Sequence, residues 1–338
     1  MLERSLILIT ALWLPAGLGC QARSSDSVAP DASEASVAEP PADPHERDDR
    51  VAIHLSFDDA PGAHFAPGEA PTDPAAYNAL NREIIATLQE HEIPASVFFN
   101  CDNLLPGDET LESWEAAGML VGNHTASHVN LAKVGLEAWL EDLRRCDEVL
   151  RERLSAPPSY LRYPYLSQGD TLEQRDGATA ALAEMGYANA HVTAATTEWL
   201  LALAYSAAKQ RGEAELEDQI VAAYRQHMLE SVTAARELAI HEVGRETTQV
   251  VLFHVNTLAA DHLDEVLADY EAAGYRFIGL EEALADPVFE LEDHYVGGGG
   301  ISWLARIHDP EQPRPPYWFG LEEGRLEEVW GYLLAPPE

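Results

Sequence analysis

From residue 51 to residue 284 the chain alternates short apolar runs with longer segments of helical spacing, and that alternation leaves few folds open. Residues 51–57, 94–101, 159–165, 188–196, 250–255 and 275–278 read as strands, and residues 120–128 as a strand running into a polar turn. Between them, residues 77–92, 109–118, 136–154, 171–185, 199–243 and 263–273 read as helices. A capping box from Asp170 to Glu173 starts the fourth helix, and the fifth breaks near Lys209–Gly212. Strands joined through helical crossovers lie parallel, which makes this an α/β chain. About seven strands suit a barrel better than an open sheet. Parallel strands all end on one face, so the polar residues that follow each apolar run are brought together there.

The flanks read differently. Arg4 precedes an apolar run over residues 6–19, too short and too early for a spanning helix and laid out as an export signal. The ending Gly17-Leu18-Gly19-Cys20 resembles a bacterial lipoprotein cleavage site, with Gly17 where Leu is usual, and would make Cys20 the acylated first residue. Residues 21–50 are rich in Ser, Ala, Pro, Asp and Glu without an aromatic, and read as a flexible acidic linker. The expectation is an exported protein of the cell envelope, monomeric, touching the membrane only through a lipid at Cys20. Residues 285–338 carry the turn Gly297–Gly300 and the aromatics Trp303, Tyr317, Trp318, Phe319 and Trp330, and read as an extension packing on the barrel. A net charge of -37 argues against nucleic acid or an anionic membrane surface as partner. Cys101 and Cys146 both lie in apolar contexts, where a bridge and two free thiols are equally open.

Four strand ends carry chemistry. Asp58 and Asp59 close the first apolar run before Pro61 and Gly62 turn the chain out. Adjacent side chains on a strand point to opposite faces, so the two carboxylates have different jobs unless they merely open a solvated turn. His124 and His128 stand four apart after the third run, a spacing that places both on one side of the backbone. Two imidazoles and a carboxylate are a common ligand set for a catalytic zinc. Arg162-Tyr163-Pro164-Tyr165 follows the fourth, where the planar guanidinium is suited to orienting a carboxylate, in a site or in a structural ion pair. His254 falls in the strand 250–255, four residues after its first valine; alone it reads as a core histidine, but it follows three polar strand ends.

In this order the motifs resemble the polysaccharide deacetylases, the NodB-type carbohydrate esterases. Ser56-Phe57-Asp58-Asp59-Ala60-Pro61 is similar to the first family motif, His124-Thr125-Ala126-Ser127-His128 to the second, Arg162-Tyr163-Pro164-Tyr165 to the third and Leu252-Phe253-His254 to the last, over roughly residues 51 to 284. The resemblance implies a NodB-like distorted (β/α) barrel and a catalytic domain that removes N-acetyl groups from a glycan. It implies that Asp59, His124 and His128 hold a divalent metal, most commonly Zn2+, which lowers the pKa of a bound water and polarises the acetyl carbonyl. Asp58 would be the general base, kept ionised by Arg162, and His254 the acid that protonates the departing amine. The backbone N–H of Tyr165 would stabilise the oxyanion, with Leu252 and Trp199 lining the pocket for the acetyl methyl. The fourth family motif departs: Ala195-Thr196-Thr197-Glu198-Trp199 stands where Asp-x-x-Asp-Trp is usual, leaving Glu198 to support His254 with a longer reach. That departure and the aromatic tail keep two alternatives open, an O-acetyl esterase and a catalytically weak glycan-binding protein.

Overall fold

β1 (Val51–Ala60) is buried from Ala52 to Ala60, and because both faces are covered the polar side chains that alternate with Ile53, Leu55 and Phe57 need partners inside: His54 Nδ1 donates to the Ile278 carbonyl and Ser56 Oγ to the Val251 carbonyl. It pairs in parallel with β2 (Ala95–Phe99) and β6 (Gln249–His254), and its first residues pair with β7 (Tyr275–Phe277). β2 continues to β3 (Leu120–Asn123), β3 to β4 (Tyr160–Leu161) and β4 to β5 (Ala188–Asn189), each pairing parallel. The order is therefore β5-β4-β3-β2-β1-β6. Just past β5 the chain reaches the opposite end of that order, where Ala194 bridges Val251 and the amides of Thr193 and Ala194 donate to the Val250 carbonyl at 3.1 Å. This seam curls the seven strands into a distorted (β/α) barrel, the fold that the family resemblance implies.

The computed structural model describes residues 50–315 and 321–330, within a compact unit spanning residues 49–338. The readings of the export signal, Cys20, the linker up to residue 49, Tyr317, Trp318 and Phe319 lie outside the described residues.

Local chemistry moves several boundaries. The helix Pro74–Glu90 starts three residues before the apolar spacing does, because the Asp73 carboxylate accepts from the Ala75 N–H at 2.9 Å and Pro74 has its φ preset. Thr171, not Asp170, caps the helix Leu172–Met185: its hydroxyl accepts from the Gln174 N–H at 3.2 Å while Gln174 Oε1 accepts from the Asp170 N–H at 2.9 Å. The helical stretch after residue 198 divides at Gly212, whose left-handed φ of 70° ends Glu198–Arg211 before Ala214–Val243 begins. Asn256 caps Thr257–Ala272, starting that helix before residue 263. β4 and β5 are two residues each, shorter than their apolar runs. Past β4 the chain turns through Tyr165 and Leu166 at positive φ, and past β5 the amides serve the seam.

Phe57 lies at the centre of the core, its ring 5.1 Å from Phe253 and 5.8 Å from Trp114. Val288, Trp303, Leu304 and Ile307 belong to the same core, and Trp303 Nε1 donates to the Val288 carbonyl at 2.7 Å. Trp330 packs against it half-buried. Cys101 and Cys146 form a disulfide with a Cα separation of 5.2 Å, joining the turn after β2 to the helix Leu136–Arg153.

Candidate active site

Because every barrel strand is parallel, the carboxyl ends of β1, β3, β4 and β6 open on one rim, and the polar residues that follow them meet there. Register brings the first pair together: Asp58 lies directly beside His254, and the Val255 N–H donates to the Asp58 carbonyl at 2.9 Å. Asp59 lies within β1 where its register with β2 shifts between Phe57 and Ala60, and its left-handed φ of 62° turns its carboxylate away from that of Asp58.

Asp58 is held by Arg162, whose Nη1 donates to its two carboxylate oxygens at 3.1 and 3.3 Å. The guanidinium is only 1% exposed and is fixed at its other nitrogens, with Nε donating to the Ala190 carbonyl at 2.5 Å and Nη2 to Ser56 Oγ at 3.0 Å. With the fork fully used, Asp58 is anchored on one side.

On the other side, Asp59 Oδ1 stands 3.4 Å from His124 Nε2 and 3.2 Å from His128 Nε2. His124 Nδ1 lies 2.7 Å from the Arg162 carbonyl, which fixes the proton on Nδ1 and leaves Nε2 with its lone pair free. Burial lowers the His128 pKa to about 4 despite the opposing pull of Asp59, so this ring is neutral. Burial alone would raise the Asp59 carboxyl, but the imidazoles of His124, His64, His128 and His254 outweigh it and hold it well below the usual carboxylate range. Asp59 Oδ1 is nevertheless buried without a hydrogen-bond partner. Ligand atoms about 2.0–2.1 Å from one tetrahedral ion stand roughly 3.3 Å from one another, close to the spacing of this oxygen from the two nitrogens. Asp59, His124 and His128 thus have the composition, charge state and spacing of a metal-binding group.

His254 closes the rim. Its Nδ1 lies 3.0 Å from Glu198 Oε1, which also accepts from the His254 N–H at 2.6 Å, while Glu198 Oε2 accepts from Asn256 Nδ2 at 3.1 Å. Glu198 is 1% exposed and opens the helix Glu198–Arg211, so the longer side chain reaches His254. Burial lowers the His254 pKa, yet Glu198, Asp59 and Asp58 outweigh it and raise the value to about 9. Leu252 lies two residues before His254, hence on the same face of β6, and is buried. Tyr165 is 57% exposed with its ring 4.4 Å from that of His128, and its carbonyl is packed so closely by Gly300 that a Cβ there would stand 1.5 Å from the oxygen. The glycine turn therefore buttresses the Tyr165 loop.

Three residues escape a reading of the sequence. His64, in the loop after β1, places Nε2 3.1 Å from Asp59 Oδ2, with its ring 4.8 Å from that of His254 and 5.9 Å from that of Trp199. Asp142 accepts from the Ser127 N–H and hydroxyl, each at 2.9 Å, and so pins the turn between the two histidines to the helix Leu136–Arg153. Asn100 donates to the His124 carbonyl at 2.7 Å. Of the non-glycine residues with positive φ, Asp59, His64, Thr125, His128, Tyr165 and Leu166 all belong to these loops, and such backbone gathers at functional sites.

Residues 45–190 match the family model described as polysaccharide deacetylase. The match covers less than half of the chain, and the matched segment is similar to a polysaccharide deacetylase domain. It holds Asp58, Asp59, His124, His128 and Arg162, while Glu198 and His254 lie beyond it. Among curated relatives, a peptidoglycan-N-acetylglucosamine deacetylase of Bacillus cereus is 27% identical over 126 residues, covering 37% of this chain and 39% of the relative. A chitooligosaccharide deacetylase of Rhizobium leguminosarum bv. trifolii is 28% identical over 114 residues, covering 34% and 46%. The chain thus spans less than half the length of these relatives. The solved chitin deacetylase of Colletotrichum lindemuthianum aligns over 70% of this chain and 88% of its own, at 18% identity and a TM-score of 0.46.

Proposed function

We propose that the protein is a zinc-dependent hydrolase that removes N-acetyl groups from an N-acetylated polysaccharide or oligosaccharide and releases acetate. The observation that carries this reading is the convergence on one rim of three prepared units: Asp58 held by Arg162, Asp59 with His124 and His128, and His254 held by Glu198. The names of the relatives, deacetylases of peptidoglycan and chitooligosaccharide, support an N-acetylated glycan as substrate.

Asp59, His124 and His128 are the residues to hold the ion, which when bound acidifies water and withdraws electrons from the acetyl carbonyl. Asp58 takes the proton of the attacking water as that water's oxygen bonds to the acetyl carbon. Arg162 aims Asp58 through the two hydrogen bonds from its Nη1 to the carboxylate. The Tyr165 N–H donates to the carbonyl oxygen as charge builds on it. His254 then gives its proton to the sugar nitrogen as the carbon–nitrogen bond breaks, because an amide anion is a very poor leaving group. Leu252 and Trp199 bound the space for the methyl group. Glu198 keeps His254 charged, so the change from the usual Asp does not of itself disarm the site. The apolar run ending at Cys20 and the acidic stretch behind it support export to the cell envelope, with a lipid at Cys20 holding the domain at the membrane.

The roles separate by mutation. Asp58→Asn is expected to bind zinc like the wild type and to release acetate at least 100-fold more slowly, the scale of lost general-base catalysis. His128→Ala is expected to lose both zinc and acetate release. Zinc analysis of the purified variants beside an acetate assay checks this; full activity in Asp58→Asn would remove the base assignment.

A further inference from the structure

The two oxygens of Asp59 have different neighbours. Oδ1 faces His124 and His128, while Oδ2 lies 3.1 Å from His64 Nε2. The ligand atoms of His64, Asp59 and His254 lie within 4.8 Å of one another, in a second group of potential metal ligands that shares only Asp59 with the first. His64 therefore stands behind the carboxylate rather than beside the two ligand imidazoles.

Its loop is tied at both ends. The Ala63 N–H donates to the Val255 carbonyl at 2.9 Å, and the Ala66 N–H to Ser206 Oγ at 2.8 Å. Between these ties His64 adopts φ 58°, a left-handed conformation that a residue with a Cβ takes only when its surroundings impose it. Its ring is packed edge-on against His254 and near Trp199, so it has little room to swing away. A carboxylate flanked on one oxygen only can rotate and exchange its oxygens, and a donor on the second oxygen removes that freedom.

We infer that His64 is a positioning residue for the metal-ligating carboxylate: its Nε2–H holds Asp59 Oδ2 so that Oδ1 stays turned toward His124 and His128. The inference rests on the reading of Asp59, His124 and His128 as metal ligands. It adds a residue from the β1 loop to the motifs at the other strand ends, and it concerns metal affinity first and turnover second.

The test measures zinc dissociation constants by competition with a chromophoric chelator, for the wild type, His64→Ala, His64→Gln and Asp59→Ala, with thermal melts of the zinc-free proteins as a check on folding. Gln places an amide donor near the position of Nε2. His64→Ala is expected to bind zinc roughly 10–100-fold more weakly, the scale at which hydrogen-bond partners of metal ligands act, and His64→Gln to recover most of that loss. Cobalt(II) substituted for zinc should give His64→Ala the same ligand-field spectrum as the wild type. Wild-type affinity in His64→Ala would overturn the inference. So would a cobalt spectrum that changes as it does in His128→Ala, since His64 would then be a ligand. A wild type that binds zinc through Asp59 but releases no acetate would defeat the deacetylase reading and leave the affinity comparison intact.

Discussion

His254 and Glu198 form a buried ion pair whose charge state sets how the site responds to pH. Burial pulls the imidazole toward neutrality, and the carboxylates of Glu198, Asp59 and Asp58 reverse that and raise its pKa to about 9. A folded-state pKa above the unfolded value, about 6.5 for His, means that the pair's contribution to stability is complete below pH ~6.5 and is lost as pH rises through the folded value. In the proposed reaction the same proton passes to the leaving amine, so the alkaline limb of activity is expected near pH 9. Glu198→Gln removes the partner that raises the pKa most, and should bring that limb down by about 1–2 units. A pH–rate profile of the two proteins checks this, and an unmoved limb would detach Glu198 from His254. Asp58, Asp59, His124, His128, Arg162 and His254 were legible in the sequence because each follows an apolar run that a parallel sheet must end on the same rim. His64 was not, since a lone histidine among Gly and Pro carries no periodic signal. Asp142 left a trace: it interrupts the stripe of Trp139, Leu143, Cys146 and Leu150, and a carboxylate on a buried face needs a partner.

Among the elements, the helix Leu136–Arg153 does more than cover the sheet. Through Asp142 it fixes the turn between His124 and His128, and through Cys146 it is bonded to Cys101 after β2. The neighbouring Asp102 N–H donates to the Ala126 carbonyl at 2.9 Å, so the disulfide and the histidine turn are one connected assembly. Closing a loop with a sequence separation of 45 is expected to contribute about 2–4 kcal/mol to stability. Replacing both cysteines by serine should lower the unfolding free energy by that amount in a denaturant titration and weaken zinc binding, whereas an unchanged midpoint would mean the packing alone suffices. The sequence left the pairing open because spacing does not report Cα separation. The lengths of β4 and β5 were hidden for a related reason: apolar character continues past the point where the backbone turns to place Tyr165 or to form the seam at Ala194.

At the scale of the whole molecule, the barrel was legible as an alternation of strands and helices, while its closure was not, because the seam rests on a few hydrogen bonds between Ala194, Val250, Val251 and Leu252. The C-terminal residues also took their place only in three dimensions. Trp303 is core, and Gly300 supports the Tyr165 loop because only a hydrogen fits against that carbonyl. The acidic surface implied by a net charge of -37 is compatible with a neutral glycan and with release into solution of acetate, an anion the field repels. If the rim residues form a metal-dependent amide hydrolase, as proposed, bound metal must govern acetate release. The most direct measurement strips the metal from the purified protein, returns zinc stepwise and follows acetate release from an N-acetylated glucosamine oligosaccharide. Expected are negligible release without metal, recovery that saturates near one zinc per chain, and no recovery in His128→Ala. Acetate release that is equal with and without bound metal, or absent at full zinc occupancy, would contradict it.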